Sequence, residues 1–245
     1  MKKLTSIMMA IAVVLFFSGS AIATPVFEDG GAGLQGVLDD ITTAPVAGNS
    51  SIDVTTDYLD YDERWDITAS GGSVTTMVIE LAGFKHDNTF GVYDGTEYVE
   101  IFAGIEGAGT LKTLAITSLG DVYINSVDSG QNFTSESFGY YLETPEGNIW
   151  HSEVSRNSDG NDHMLAYQGT GVDTVEIFPW SPGTWSDNEF ILAFEDKTYT
   201  DLGADFDDMV VMVESVEPVP EPTTLILFGS GLLGLCAYAR KRRKN

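Results

Sequence analysis

Residues 89–102 read T-F-G-V-Y-D-G-T-E-Y-V-E-I-F, and they decide the fold class of this 245-residue chain. Two runs rich in β-branched and aromatic residues, 89–93 and 97–102, flank the dipeptide Asp94-Gly95. Such runs are typical of strands, and Asp-Gly is typical of the tight turns that join them. The stretch therefore predicts two strands joined by a turn.

Runs of the same kind recur between about residues 51 and 215, separated by Gly, Asn, Asp and Ser. Many short strands with frequent turns and almost no helix predict an all-β fold, a β-sandwich or jelly-roll-like single domain over residues 51–217. One short helix is predicted in the preceding segment, 24–50, because Leu34, Val37, Leu38 and Ile41 follow helical spacing. The further predicted strands are 74–81, 111–117, 121–124, 137–142, 163–168, 172–178, 189–194 and 208–213.

Two of these strands share a local pattern. Phe90-Gly91-Val92-Tyr93 and Phe138-Gly139-Tyr140-Tyr141 echo each other, although no long internal repeat accompanies them. Both an internal duplication and the ordinary chemistry of strands would account for the echo.

The N-terminal end has the features of a secretory signal peptide, residues 1–23. Lys2 and Lys3 are followed by an apolar core at 7–17 and by Ala21-Ile22-Ala23, a small-x-small cleavage site. An uncleaved membrane anchor is the alternative, but a spanning helix needs about 20 apolar residues, and this core is shorter. We expect export, with cleavage after Ala23.

The C-terminal end has three parts. Residues 218–222 form a Pro-rich linker that contains Pro220, Glu221 and Pro222, and proline resists helix formation. Residues 223–239 carry no charge and predict a single transmembrane helix at the short limit of length. Residues 240–245 contain five basic residues in a row, which predicts a cytoplasmic tail by the positive-inside rule.

This C-terminal segment resembles the PEP-CTERM sorting signal. The resemblance rests on Val219-Pro220-Glu221-Pro222, on the Gly-rich run 228–234 and on the basic end, about 25 residues in all. It implies that an exosortase-type membrane protease recognises the segment and cuts near the Pro-Glu-Pro. It further implies a precursor anchored in the inner membrane of a Gram-negative bacterium that makes exopolysaccharide, and a final location at the cell surface or outside the cell.

Charge limits the partners of the exported part. The chain has 12 basic and 37 acidic residues, and seven basic residues lie in the two end segments. The part between them therefore has five basic residues against all 37 acidic ones, a net charge of −32. Such a surface repels nucleic acid and attracts cations. We call residues 24–217 the body of the chain. The single cysteine, Cys236, lies in the C-terminal apolar segment, so the body has no disulfide.

The strongest candidate site is an Asp-rich stretch between two predicted strands. Ca²⁺ takes six to eight oxygen ligands, and short loops with closely spaced carboxylates supply them. The alternative is a solvated acidic turn, because the spacing does not follow an EF-hand. The candidate ligands are Glu195, Asp196, Asp205, Asp207 and Asp208.

A second acidic loop covers residues 156–163. Asp159 and Asp162 lie in an Asn/Asp-Gly pattern that resembles the first half of a calcium loop, but no closing Glu follows. A hairpin turn fully explains the Asp159-Gly160 dipeptide, and we favour that interpretation. A joint site with Asp205 to Asp208 stays an alternative.

The body also resembles an uncharacterised Asp-rich domain family of bacterial surface proteins. The resemblance rests on Phe194-Glu195-Asp196, on the run Gly203-Ala204-Asp205-Phe206-Asp207-Asp208, on 138–145 and on 161–163, and it covers about 80 residues. The family usually has Arg or Asn where this chain has Ala204 and Asp207. The family has no established activity that the resemblance could carry over to this chain, and the resemblance favours cation binding.

No catalytic motif stands out, because neither a His-x-x-x-His nor a Gly-x-Ser-x-Gly pattern surrounds His86, His151 or His163. We therefore expect a non-enzymatic structural or adhesive role linked to exopolysaccharide. A lectin-like binder and a polysaccharide-acting enzyme are the alternatives. Trp180 and Trp185 could stack on sugar rings, although closing the core is the commoner use of Trp.

Overall fold

A computed structural model describes residues 25–68, 73–83, 88–104, 106–135, 137–198 and 204–220 of the chain. In this part of the chain one α-helix, α1 (Ala32–Ile41), accompanies sixteen strands. The strands are Thr42–Ala44 (β1), Trp65–Ile67 (β2), Ser73–Gly83 (β3), Thr89–Asp94 (β4), Glu97–Phe102 (β5), Leu111–Thr117 (β6), Asp121–Ile124 (β7), Val127–Asn132 (β8), Gly139–Glu143 (β9), Ile149–His151 (β10), Met164–Gln168 (β11), Thr174–Val175 (β12), Gly183–Thr184 (β13), Glu189–Phe194 (β14), Met209–Glu214 (β15) and Val216–Pro218 (β16).

Two larger sheets dominate the fold, and all their strand pairs are antiparallel. One sheet has seven strands in the order β11-β14-β15-β3-β6-β7-β8, and the other has four in the order β10-β9-β4-β5. The predicted all-β class is confirmed, and so are the opening hairpin and its Asp94-Gly95 turn, which β4 and β5 form.

A first core lies between the two sheets. Phe90 and Ile101 of the four-stranded sheet belong to the same buried cluster as Leu192 and Val211 of the seven-stranded sheet. The rings of Phe90 and Phe194, one from each sheet, meet edge-on with centroids 5.9 Å apart. The two sheets therefore pack face to face, as in a β-sandwich.

A second core covers the other face of the seven-stranded sheet. In β14 the side chains alternate, since Phe190, Leu192 and Phe194 belong to the first core and Ile191 and Ala193 to the second. Alternation follows from the two-residue period of a strand, and burial on both faces makes such strands apolar throughout. Helix α1 packs on this outer face with the predicted residues Leu34 and Leu38, which are fully buried.

The echo between 90–93 and 138–141 has a packing explanation. Gly91 lies opposite Tyr141, and Tyr93 lies opposite Gly139, on the paired strands β4 and β9. A Cβ at Gly91 would come within 2.6 Å of the Tyr141 ring, and one at Gly139 within 2.4 Å of the Tyr93 ring. Each tyrosine ring therefore lies over the glycine of the other strand. Packing between paired strands accounts for the repeated pattern.

Some predicted strands differ from the structure. The run 172–178 forms only the two-residue β12, paired with β1 and β13, because its ends turn away at Gly171 and at the Ile177–Trp180 turn. Strand β8 was not predicted, since its sequence V-D-S-G-Q-N is largely exposed and has no apolar alternation.

The predicted signal peptide (1–23), transmembrane helix (223–239) and basic tail (240–245) lie outside the described residues. Within those described, α1 is ten residues long, and no helix has the length and apolar character needed to cross a membrane. Residues Pro25–Glu221 form one compact unit.

Candidate metal centre and sorting segment

The acidic candidates meet where two central strands end. Phe194, the last residue of β14, pairs with Met209, the first residue of β15. Glu195 follows β14 and Asp208 precedes β15, so the pairing of these strands brings the two carboxylates together at the same end of the sheet. Both are nearly buried, at 4% and 5% exposure.

The carboxylate groups form two overlapping sets of three, each close enough together to hold an ion. Glu195, Asp196 and Asp208 each place an oxygen within 4.8 Å of the others, and Asp205, Asp207 and Asp208 do the same. Asp208 belongs to both groups, so the five predicted ligands form one set. We call Glu195, Asp196, Asp205, Asp207 and Asp208 the acidic cluster.

Backbone amides fix the orientation of two of these carboxylates. The Glu195 Oε1 and Oε2 atoms accept hydrogen bonds from the N–H groups of Lys197 and Asp205, both 3.0 Å long. The Asp208 Oδ2 atom accepts one from the Asp196 N–H at 2.9 Å. Backbone N–H groups from both described ends of the loop therefore fix these carboxylates beside each other.

Burial, and then the charges of neighbouring carboxylates, raise the pKa values of three of these groups. Burial, followed by the negative charge of Asp208, raises the pKa of Glu195 to about 8. Burial also raises the pKa of Asp207 to about 6, with further contributions from Asp205, Asp208 and Asp29. The pKa of Asp208 is raised as well, first by burial. Ionised carboxylates are thus disfavoured here unless a positive charge joins them.

The chain supplies little of that positive charge. Among the described residues, Lys197 alone forms an ion pair with the acidic cluster, its Nζ 3.8 Å from Asp196 Oδ1. The Lys197 side chain is 63% exposed, and ion pairs of exposed side chains contribute little. Most of the repulsion within the cluster is therefore not offset by a side chain of the described residues.

Two buried oxygens have no hydrogen-bond partner among the described residues, Asp205 Oδ1 within the cluster and Asn88 Oδ1 beside it. Asn88 is 3% exposed, and its Nδ2 donates to Asp196 Oδ2 at 3.0 Å. Amide and carboxylate oxygens are the ligands that Ca²⁺ prefers. The residues present therefore fit a hard cation, with Asn88 as a neighbour that the sequence did not single out.

Helix α1 reaches the cluster from the second core. A Cβ at Gly33 would lie 2.3 Å from Asp207 Oδ2, so only glycine allows this approach. Asp29 accepts hydrogen bonds from the N–H groups of Gly31 and Gly33 at 2.7 and 2.6 Å. The N-terminus of a helix carries partial positive charge, which favours both carboxylates.

The second acidic loop is not part of the cluster. Asp159 Oδ2 lies 3.0 Å from His163 Nε2, and Asp159 Oδ1 accepts a hydrogen bond from the Asn161 N–H at 3.0 Å. Burial opposes ionisation of Asp159, but these partners hold its pKa below the ordinary value. The loop still touches the cluster region through His163 Nδ1, which lies 3.0 Å from the Glu195 carbonyl oxygen.

Asp162 faces a different residue. Burial raises its pKa to about 7, and burial together with the charge of Asp162 raises the pKa of Asp62. Asp162 accepts a hydrogen bond from the Met164 N–H at 3.2 Å, at the start of β11. The structure thus separates the two residues of this loop, with Asp159 closing its own turn and Asp162 beside Asp62.

The two candidate tryptophans have different settings. Trp185 is 1% exposed and belongs to the second core, whereas Trp180 is 43% exposed. The Trp180 indole N–H donates to the Gly109 carbonyl oxygen at 3.0 Å. The aromatic face that remains available to a ligand is therefore that of Trp180.

The histidines that the structure describes serve packing. His163 is fully buried, and its ring stacks on Trp150 at 3.8 Å between centroids. His151 is 7% exposed and lies 2.8 Å from the Tyr98 hydroxyl. Burial and then Arg156 lower the pKa of His151 to about 4, so it is neutral near pH 7.

The described chain ends at the start of the sorting segment. Strand β16 pairs with β2, and the last bond of this ladder is donated by the Val219 N–H to the Arg64 carbonyl oxygen at 2.7 Å. Pro220 follows and is exposed. Glu221 and Pro222 lie outside the described residues.

Comparison with known families assigns this segment. The family model described as the PEP-CTERM protein-sorting motif matches residues 218–243. The predicted sorting motif is therefore confirmed, and it supports export of the chain as a membrane-anchored precursor that an exosortase processes. A search of curated proteins finds no significant match. The resemblance of the body to an Asp-rich family stays a prediction.

Proposed function

We propose that the chain is a non-enzymatic structural or adhesive protein of the cell surface or extracellular matrix, whose β-sandwich is stabilised by Ca²⁺ at the acidic cluster. It acts within or against the exopolysaccharide of a Gram-negative host. The sorting motif at 218–243 supports the delivery route. The observation that carries the molecular role is the convergence of four other carboxylates on Asp208.

The position of the cluster explains what an ion would stabilise. Glu195 and Asp208 adjoin strands β14 and β15 of the seven-stranded sheet, Asn88 immediately precedes β4 of the other sheet, and Asp207 contacts the first turn of α1. A cation there connects both sheets and the helix. Since the body has no disulfide, such a connection is a natural source of stability for an exported domain.

Ca²⁺ suits this set better than Mg²⁺. Its six to eight oxygen ligands tolerate irregular geometry, whereas Mg²⁺ requires a near-ideal octahedron and holds its water. Carboxylate oxygens from separate segments, as found around Asp208, together with an amide oxygen such as that of Asn88 beside Asp196, are typical of Ca²⁺ sites. Cysteine-dependent metals are excluded for the body, because the only cysteine is Cys236.

Thermal melting of the full-length protein in detergent tests this proposal. A ligand at a hundred times its Kd stabilises the folded state by about 2.7 kcal/mol. We expect the midpoint to fall in EGTA and to recover with Ca²⁺, and we expect bound metal by mass spectrometry. An unchanged midpoint together with absence of bound metal contradicts Ca²⁺ stabilisation.

The non-enzymatic role has its own test. The protein is incubated with polysaccharide from the producing bacterium, and the chain length and reducing ends of the polymer are followed. We expect neither to change. Release of shorter chains would instead support the alternative of a polysaccharide-acting enzyme.

A further inference from the structure

The structure assigns a second site to the open groove beside Trp180: we propose that it binds a neutral glycan, with one pyranose ring stacked on the indole. This inference rests on the proposed function in one respect, since both place the protein against polysaccharide. The groove has a volume of about 180 Å³. Its lining combines the apolar side chains of Trp180, Ile177 and Met212 with the carboxylates of Glu189 and Glu214.

The indole is held in place before any ligand arrives. Its N–H is bonded to the Gly109 carbonyl oxygen, and the Trp180 backbone N–H donates to the Ile177 carbonyl oxygen at 2.7 Å. The two loops are in close contact, because a Cβ at Gly109 would come within 1.9 Å of the Phe178 carbonyl oxygen. A fixed aromatic face loses little entropy on binding, and it presents π density to the C–H face of a sugar ring.

Polar groups at the groove match sugar hydroxyls. Glu189 lies directly opposite Glu214 on β14 and β15, and both line the groove. The Glu189 Oε2 atom accepts hydrogen bonds from the Ser186 N–H and hydroxyl, which orient the carboxylate. Ionised carboxylates only accept hydrogen bonds, and neighbouring hydroxyls of a pyranose donate them.

Charge decides the class of glycan. Two carboxylates line the groove, and none of the described lining residues is Lys, Arg or His. The body around it is strongly acidic. Uronate or sulfated polymers are therefore repelled, whereas a neutral hexose polymer meets no such cost.

The four tryptophans of the chain make a specific reporter available. Trp65, Trp150 and Trp185 are at most 1% exposed, so the neutral quencher acrylamide reaches chiefly Trp180. Quenching is measured on the full-length protein in a sugar-free detergent with dextran, laminarin and yeast mannan, and with alginate and polygalacturonate as anionic comparators. We expect at least one neutral polymer to protect Trp180, and neither anionic polymer to do so.

Variants separate stacking from folding. Trp180→Ala should weaken retardation of the protein in gels containing the protective polymer by about tenfold or more, as for a central contact residue. Phe178→Ala is the matched control, since Phe178 lies two residues from Trp180, is 84% exposed and is not part of the lining, and the variant should bind normally. Equal melting midpoints of the two variants show that both are folded.

Three results would overturn the inference: no protection by any neutral polymer, protection by the anionic polymers alone, or normal binding by Trp180→Ala. None of them depends on the melting shift with Ca²⁺. A result that contradicts glycan binding at the groove and a result that contradicts Ca²⁺ stabilisation are therefore observed in separate experiments.

Discussion

Strands β14 and β15 carry a pair of carboxylates at each end of their shared ladder. At one end Glu195 and Asp208 flank the pair Phe194 and Met209, and at the other end Glu189 pairs with Glu214. Six residue steps, from Glu189 to Glu195, separate the two carboxylate pairs by roughly 20 Å. The same strands thus hold like charges opposite each other twice, an arrangement that is unfavourable in a sheet unless something compensates.

The compensation differs between the ends. At the acidic cluster the carboxylates are nearly buried, and backbone amides direct them at each other. At the groove Glu214 is only half-buried, so water reaches it; burial and then the charge of Glu189 raise its pKa. Burial therefore makes the like charges costlier at the acidic cluster than at the groove. A cation is the compensation that we propose for the cluster, and hydrogen bonds from a ligand are the one that we propose for the groove.

The largest expected effect follows from Asp208→Asn, because Asp208 belongs to both carboxylate groups. The variant should lose the Ca²⁺-dependent stabilisation, about 2–3 kcal/mol at saturating ion. In EGTA it should be as stable as the parent or more so, since a repelling charge is gone. Melting curves with and without Ca²⁺ measure both. The exposed Asp187→Asn is the control, and an equal loss there would contradict a specific site.

The second prediction concerns pH. Glu195 and Asp207 have pKa values of about 8 and 6, above the ordinary 4.5 and 3.8, so the folded state binds protons that the unfolded state releases. In EGTA these two groups make their full contribution to the free energy of unfolding at pH values below their ordinary pKa values. That contribution is lost as the pH rises through about 6 and then about 8. The slope is at most about 1.4 kcal/mol per pH unit for each such proton.

Ca²⁺ should reverse this trend, because the ion competes with protons and its stabilisation grows with pH. Urea titrations between pH 5 and 9 measure both slopes. Glu195→Gln separates the cluster from the general charge of the protein, and it should reduce the slope in EGTA. Identical slopes in variant and parent would contradict the raised pKa of Glu195.

A smaller effect is expected from Gly33→Ala. The new Cβ displaces the Asp207 carboxylate, which should reduce the Ca²⁺-dependent stabilisation by on the order of 1 kcal/mol. Gly36→Ala is the matched control in the same helix, because nothing lies within 4 Å of its added Cβ. That variant should gain roughly 0.5–1 kcal/mol and keep the Ca²⁺ shift. Equal Ca²⁺ shifts in the two variants would show that Asp207 is not a ligand.

The smallest effect is expected at the other end of the ladder. Glu214→Gln should raise the free energy of unfolding by no more than about 0.5 kcal/mol, because it removes one charge opposite Glu189. The Ca²⁺ shift should be unchanged. A large change of that shift would mean that the two ends are coupled through β14 and β15.

Local pattern predicted much of this fold. The bounds of β5, β6, β7 and β14 agree with the predicted strands, because each is a β-branched or aromatic run that ends at a turn signal. Helix α1 was predicted from Leu34 and Leu38. Strand β8 could not be predicted, since it pairs through its backbone and has no apolar side that a pattern could reveal.

The residues of the candidate site were likewise predicted only in part from the sequence. The five carboxylates were predicted because they are close in sequence, in the segment between strands β14 and β15. Asn88 was missed, since it joins Asp196 from 108 residues away and a lone Asn carries no signal. The burial that separates Trp185 from Trp180 is likewise a tertiary property, and the two residues have the same local sequence character.

Terbium luminescence tests the central claim most directly, since Tb³⁺ occupies Ca²⁺ sites and emits when a nearby indole is excited. Trp150 is placed for this role, because its indole N–H donates to the Asp196 carbonyl oxygen at 2.8 Å. Binding at the acidic cluster predicts sensitised emission that Ca²⁺ displaces and that Asp208→Asn abolishes. Absence of emission from the parent, or full emission from Asp208→Asn, would contradict a cation site at this end of the ladder.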